Sequence, residues 1–269
     1  MASVNACVRP DEADIAAPVP PIGSACRPDA SAAGPDRVLH LSVLHDLICP
    51  WSRLAICRLL RVLSRRGRPW SIVWEPFLLH AEMPRLGMAY VEYARQKYGT
   101  AERARRMERT VSALGRGEGV GFRFDRIQRV PSTIAAHRLI DWASSCRTTP
   151  DHLAGLVLSL SAAHFERGLD LSLPSVLAEI AAMHGLDPNA ARAVLLRGRE
   201  AADHVQMRAQ ANAALGINGI PCLVTEDGLA IAGAQDEPAI ERLLDVAELG
   251  SPAPDQARPA DAISAGRAA

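Results

Sequence analysis

Two apolar runs of strand character enclose one helical run, and this order constrains the fold more than any other feature of the chain. "RVLHLSVLHDLI", residues 37–48, carries Val38, Leu39, Leu41, Val43, Leu44 and Leu47, a density that suits a buried strand. "CPWSRLAICRLLRVLSRRG" follows at 49–67, with Leu54, Ile56, Leu59, Leu60 and Leu63 near helical spacing and Gly67 as a stop signal. "RPWSIVWEPFLL" then reads as a second strand, rich in aromatic and β-branched residues. Strand, helix, strand is a βαβ unit, which predicts a parallel pair joined by a right-handed crossover.

From about Met83 to Gln210 the pattern is almost wholly helical, in segments such as "VEYARQKYG", "PSTIAAHRLIDWASSC", "DHLAGLVLSLSAAHFERG", "PSVLAEIAAMHG" and "DPNAARAVLL". Beyond it, "IPCLVTEDGLAIAGA" predicts a hairpin: strand Cys222 to Thr225, turn Glu226-Asp227-Gly228, strand Leu229 to Ala232. A last helix follows, with Asp236 near its cap, Pro238 in its first turn and Ile240, Leu243 and Leu244 facing inward. The expected class is therefore α/β with a large helical insertion: 37–82 and 211–249 form one domain and 83–210 the insert. Residues 1–36 and 250–269, rich in Ala, Pro and Asp and without periodicity, read as disordered tails.

The 269 residues are 48% hydrophobic, enough for a full core, and 30 basic against 30 acidic side chains leave no net charge. A neutral chain lacks the electrostatic footprint of a nucleic-acid binder and suits a small partner. The first tail has neither a cationic start nor an apolar run, Asp11, Glu12 and Asp14 argue against a transit peptide, and nothing is long and apolar enough to span a membrane. The expectation is a cytoplasmic protein without a membrane partner, whose cysteines (Cys7, Cys26, Cys49, Cys57, Cys146, Cys222) are mostly thiols.

One of these thiols stands apart. Cys49 precedes Pro50, and proline favours the first position of a helix, so Cys49 falls at the N-cap. There a sulfur faces unpaired backbone N–H groups and the positive end of the helix dipole, both of which favour thiolate. The competing reading is a small buried residue. "GINGIPCLV", 216–224, places Ile220-Pro221 directly before a late strand.

Together these segments resemble the DsbA-like branch of the thioredoxin fold, in particular the FrnE-type group, related to the 2-hydroxychromene-2-carboxylate isomerases and the kappa-class glutathione transferases. "DLICPWS" is similar to the family's Asp-x-x-Cys-Pro-Trp-Cys and "WEPFLL" to its Pro-Phe-x-Leu segment. "STIAAHRLIDWA" resembles an Asn-Thr-x-x-Ala-His-Arg segment, while "FERGLDLS", "GINGIP" and "IAGAQ" follow in family order. The resemblance covers roughly 38–247. It implies a thioredoxin fold with the helical insertion between the second strand and a cis-proline strand. It also implies Cys49 as nucleophile, with Pro50, Trp51, Ile220 and Pro221 positioned around it.

Two residues depart from the pattern: Ser132 stands where the family often has Asn, and Ser52 replaces the second cysteine. The isomerase and transferase branch usually has Ser at the first position too, so "CPWS" lies between the two groups. Disulfide exchange needs a second thiol to resolve a mixed disulfide, and Ser52 cannot be that thiol, although its hydroxyl can hydrogen-bond a Cys49 thiolate. Cys57 is eight residues along the helix, roughly 12 Å away by rise, and cannot bridge to Cys49. Cys222 reads either as core or as a spare thiol, because it follows Pro221. Cys7, Cys26 and Cys146 show no ligand spacing, so no metal site is indicated. His137 is the candidate acid/base or substrate-contact residue, with a structural histidine as the alternative. His45, beside Asp46, reads either as tuning the thiol or as a solvated strand end. Arg103, Arg105, Arg106 and Arg109 mark a solvated helix face.

Three functions fit. The first is a monothiol thiol-disulfide oxidoreductase acting on small thiols, small molecules or protein disulfides, with glutathione as co-substrate and no bound cofactor. The second is a glutathione-dependent isomerase or transferase, and the third a noncatalytic binding protein.

Overall fold

Apolar alternation becomes burial in the first strand, β1 (Leu39–His45), where Leu41, Val43 and Leu44 are inaccessible to solvent in the computed structural model, which describes residues 38–197, 199–214 and 219–249. The two tails read from the sequence, with Cys7 and Cys26, lie outside the described residues. Helix α1 (Pro50–Arg66) ends at Gly67, whose φ of 61° closes the helix by returning its N–H to Leu63 O. Strand β2 (Trp70–Pro76) lies parallel to β1, in register from Leu39 opposite Trp70 to His45 opposite Pro76.

The hairpin of β5 (Cys222–Thr225) and β6 (Ala230–Ala232) joins the other side of β1 antiparallel, giving the sheet order β2-β1-β5-β6. Asp46, Leu47, Ile48 and Cys49 therefore leave the sheet from a central strand, and the hairpin begins beside them, with Leu44 opposite Cys222.

Between β2 and β5 come a two-residue strand β3 (Met88–Ala89), then α2 (Tyr90–Tyr98) and α3 (Ala101–Glu118), a 3₁₀ turn at Phe124–Arg126 and a second two-residue strand β4 (Arg129–Val130). Helices α4 (Ile134–Ser145), α5 (Pro150–Phe165), α6 (Pro174–Met183), α7 (Pro188–Leu196) and α8 (Arg199–Ala214) complete the insertion, and α9 (Glu237–Leu249) ends the fold. The insertion is thus helical with one small antiparallel ribbon, β3 with β4, rather than all helix. Two residues cannot display the alternation that marks a strand. What holds the ribbon is the Arg129 guanidinium, donating to the carbonyls of Leu86 and Gly87 at 2.6 and 3.0 Å. Gly87 has φ 68°, and a Cβ there would meet Val130 O at 2.3 Å, so only glycine fits.

One buried cluster runs through both parts: Val43 of β1, Leu59 and Val62 of α1, Leu139 of α4, Leu160 of α5 and Leu244 of α9 belong to it. Polar ties complement it. The Arg138 side chain donates to the carbonyls of Val194, Leu195 and Arg197, capping the last turn of α7. Arg208 spans Glu75 of β2 and Asp141 of α4, while Asn212 donates to Glu75 and to Pro76 O.

Candidate active site

The turn between β1 and α1 is built by Asp46. Its carbonyl accepts from Cys49 N at 3.0 Å, and its carboxylate accepts from Ile48 N at 3.4 Å and from Leu79 N at 2.8 Å, with a further hydrogen bond from the Thr133 side chain. One buried carboxylate thus fastens the turn, the segment after β2 and the start of α4. Burial pushes its pKa up to about 6, against the pull of those donors and of the Lys97 charge.

Cys49 follows as the N-cap of α1, with extended φ and ψ of −91° and 113° and Pro50 behind it. It is 3% exposed, and its Sγ lies 4.0 Å from the carbonyl oxygen of Ile220, the residue before Pro221. The Ile220–Pro221 peptide bond is cis. The Cys49 side chain makes no cap hydrogen bond, and the positive end of the helix dipole lies at the sulfur.

Ser52, one turn on, is 1% exposed, and its hydroxyl has no hydrogen-bond partner among the described residues. The hydrogen bond expected between Ser52 and Cys49 is therefore not made. The Sγ instead sits with Leu44, Ile220, Cys222 and Val224 in a small apolar cluster that Trp51, Phe77 and Leu79 cover. Cys222 shares that cluster, and burial pushes its thiol up to about 12. Burial also raises the half-buried Cys57 thiol, which packs on Leu54, Val111 and Val120, away from the site. No disulfide joins Cys49, Cys57, Cys146 and Cys222.

Behind Asp46 lie two buried histidines. His137 places Nε2 at 4.0 Å from Asp46 Oδ1, and its ring centroid is 5.1 Å from that of His45, which meets Trp74 edge-on at 5.4 Å. Neither nitrogen of His45 has a partner among the described residues, and burial lowers its pKa to about 3. His45 is therefore not a solvated strand end. Burial, then the neighbouring His45 and Arg208, lower His137 as well. The arginines of α3 are exposed, as their spacing implies.

Sequence reasoning passed over Lys97 and Tyr93. Both lie on α2, four residues apart, and Lys97 Nζ donates to Tyr93 Oη at 3.0 Å. Their spacing was visible, but nothing in "VEYARQKYG" shows that this helix turns toward Cys49. A narrow aromatic cleft between Ile48, Pro50, Tyr93, Tyr98 and Phe165 opens on the same side. Among the described residues, no group of three or more His, Cys, Asp or Glu is placed to hold a metal ion, and no helix is long and apolar enough to cross a membrane.

A cysteine capping a helix that follows a central strand, facing a cis-proline peptide on the next strand, defines a thioredoxin-fold thiol protein. The model of the DSBA-like thioredoxin domain matches residues 40–245, and the chain belongs to that family. A crystal structure described as a probable DsbA oxidoreductase from Streptomyces coelicolor is similar at 25% identity and a TM-score of 0.68, over 80% of this chain and 92% of that one. The cytosolic disulfide reductase DsbM of Pseudomonas aeruginosa, in a structure with glutathione, aligns at 18% identity and 0.55 over 77% and 100% of the chains. A 2-hydroxychromene-2-carboxylate isomerase aligns at 17% and 0.57 over 79% and 100%. These two share the fold. A search of curated proteins gives no match.

Proposed function

We propose that the protein is a thiol-disulfide oxidoreductase that works through Cys49 alone, with glutathione as co-substrate. The observation that carries this reading is the pairing of one N-cap cysteine, against the Ile220–Pro221 peptide, with a serine at the position of a second thiol. In the first step the Cys49 thiolate attacks a mixed disulfide R–S–S–G at the glutathione sulfur. The Cys49–glutathione disulfide forms and R–S⁻ leaves, to be protonated by solvent. In the second, a glutathione thiolate attacks that disulfide, releasing oxidised glutathione and restoring the Cys49 thiolate; the net reaction, R–S–S–G with one glutathione giving R–SH and oxidised glutathione, draws its electron pair from the incoming glutathione.

Pro50 and Trp51 fix the N-cap and cover the sulfur, and the backbone of Ile220 and Pro221 lines the path of the incoming sulfur. Ser52 supplies an unpartnered hydroxyl within the first turn. His137, being buried, acts through Asp46 rather than on a substrate directly. Cys222 stays protonated at neutral pH and takes no part. The reading places the protein in the cytoplasm, where reduced glutathione is abundant, and admits protein disulfides as well as small ones; no nucleic acid or membrane is required.

The aromatic cleft beside Pro50 favours a second reading, a glutathione-dependent isomerase or transferase of a small aromatic substrate, in which glutathione supplies the reactive sulfur. Intact-mass measurement after incubation with oxidised glutathione separates them. A rapid adduct confined to Cys49 is expected. Binding of reduced glutathione without an adduct replaces the oxidoreductase with the isomerase, and neither event leaves a noncatalytic binding protein.

A further inference from the structure

The cleft beside Pro50 lies where the helical insertion meets the start of α1. Ile48 and Pro50, the residues on either side of Cys49, form one wall, and the insertion supplies the rest. Tyr90, Tyr98, Met107 and Phe124, each half-buried, stand at the mouth. Deeper in, the lining includes the buried Phe165 and His164, both 2% exposed.

Two of the tyrosine hydroxyls around the cleft are engaged: Tyr90 Oη donates to Glu108 at 2.7 Å, and Tyr93 Oη accepts from Lys97 Nζ at 3.0 Å. His164 differs, because its Nδ1 is buried and has no hydrogen-bond partner among the described residues. The ring does hydrogen-bond the Leu169 backbone. Leu169 N already donates to Ala163 O, so it is the Leu169 carbonyl that receives a ring N–H, and with Nδ1 unpartnered the donor is Nε2. Nδ1 then carries the lone pair of a neutral imidazole, an acceptor that meets no donor. Burial lowers the ring's pKa to about 4, which keeps that lone pair free of a proton near neutrality. An unmatched acceptor is costly in a protein interior. Of the buried side chains in that condition, His164 alone among the described residues lines this cleft.

We propose that the cleft is the subsite for the half of the substrate that is not glutathione, a flat aromatic ring bearing a hydroxyl that donates to His164 Nδ1. A narrow opening walled by aromatic side chains favours a ring over a branched chain, since offset and edge-to-face contacts reward a flat π-system. The hydroxyl brings the donor that His164 lacks. This deepens the oxidoreductase reading and rests on it for the step in which Cys49 takes the glutathionyl group and the aryl thiolate leaves; seating of the ring itself does not require Cys49.

The test compares kcat/KM for the glutathione mixed disulfides of meta-hydroxythiophenol, para-hydroxythiophenol, thiophenol and mercaptoethanol in the parent, His164→Phe, His164→Asn and Met107→Trp, with circular dichroism as the check on folding. The parent should favour a hydroxyaryl disulfide over the phenyl one. His164→Phe should reduce that preference about three- to tenfold, the worth of one neutral hydrogen bond, and leave the mercaptoethanol disulfide unaffected. His164→Asn, which keeps an acceptor close to the place of Nδ1, should return part of the preference. Met107→Trp, at the mouth, should slow the aryl disulfides and spare the aliphatic one. A folded His164→Phe with the parent's preference overturns the proposal, and so does a Met107→Trp that slows all four substrates alike. If no disulfide is turned over, the oxidoreductase reading falls, and the subsite is read by binding alone: between Cys49→Ser and Cys49→Ser with His164→Phe, the ratio of phenol to toluene affinity in a ligand-observed NMR titration should drop. An unchanged ratio, or binding of neither ring, overturns the subsite as well.

Discussion

The two ends of α1 treat polar groups in opposite ways. At its C-terminal end Arg61, Arg65 and Arg66 face α9, where Glu237, Glu241, Asp245 and Glu248 repeat every three or four residues, and nearly every charge finds an opposite one near solvent. At its N-terminal end Ser52, His45 and His137 are buried with hydroxyl or ring nitrogens that no described group satisfies. Such groups are costly in a protein interior and uncommon in native cores. Their concentration beside Cys49 marks the end of the helix shaped by chemistry, whereas the ladder toward α9 is replaceable docking between two surfaces.

The sharpest way to break this contrast is Cys49→Ser. Glutathione-dependent turnover of a small mixed disulfide should fall about 1,000-fold or more, since no described thiol can take the place of a lost nucleophile, while thermal unfolding stays close to the parent. Cys222→Ser should keep most of the activity. Equal losses in the two variants would make Cys222 a resolving thiol and end the monothiol reading.

Acid should act next most strongly, and through the same end of the helix. His45 and His164 have pKa values lowered to about 3 and about 4 by burial, so each contributes stability that is present above about 6.5 and lost as pH falls toward the folded value. Asp46, raised to about 6, has the opposite sign: its contribution is present below about 4 and lost as pH rises through 6. Between pH 7 and pH 5 His45 and His164 should remove about 2 kcal/mol each and Asp46 return about 1, while the buried His137 acts in the same direction as the other histidines, a net loss of at least about 3 kcal/mol in urea unfolding. His45→Phe should cut that difference by about 2 kcal/mol. A pH-independent midpoint would mean that these histidines are not held uncharged in the folded protein.

Much of this was legible before any coordinates. The βαβ unit, the hairpin and the last helix were marked by apolar spacing and by Gly and Pro stops, and Cys49 by its place before Pro50. Other features left no local trace. Helix α3 runs through Gly115 and Gly117, residues of low helix propensity, and Gly115 packs where a Cβ would meet Val120 O at 2.3 Å and the Phe122 ring. Thr133 and Leu79 meet Asp46 across 87 and 33 residues of chain, and Tyr93 packs against Ile48 from helix α2; such encounters are set by tertiary packing, which periodicity does not encode. The burial of His45 and His137 depended on the insertion closing over the strand end, for the same reason.

The ladder should yield the smallest effects, graded by burial. Arg58 is its innermost member: it forks onto Glu118 and donates to the carbonyls of Ala234 and Gln235, joining α1, α3 and the approach to α9, so Arg58→Ala should cost about 2 to 3 kcal/mol. Arg66 is different. It pairs with Asp245 and Glu248, the former largely exposed, and water competes for the Asp245 carboxylate. The attraction between them is weakened by the high dielectric and by salt, and fixing two long side chains costs conformational entropy. Arg66→Ala should therefore destabilise by less than about 1 kcal/mol, and the difference from the parent should shrink further in 1 M salt, as read from urea midpoints. Catalytic turnover should not change. A loss as large as that of Arg58→Ala, insensitive to salt, would show that the α9 end of the helix is held as tightly as the cysteine end, and the contrast between the two would no longer stand.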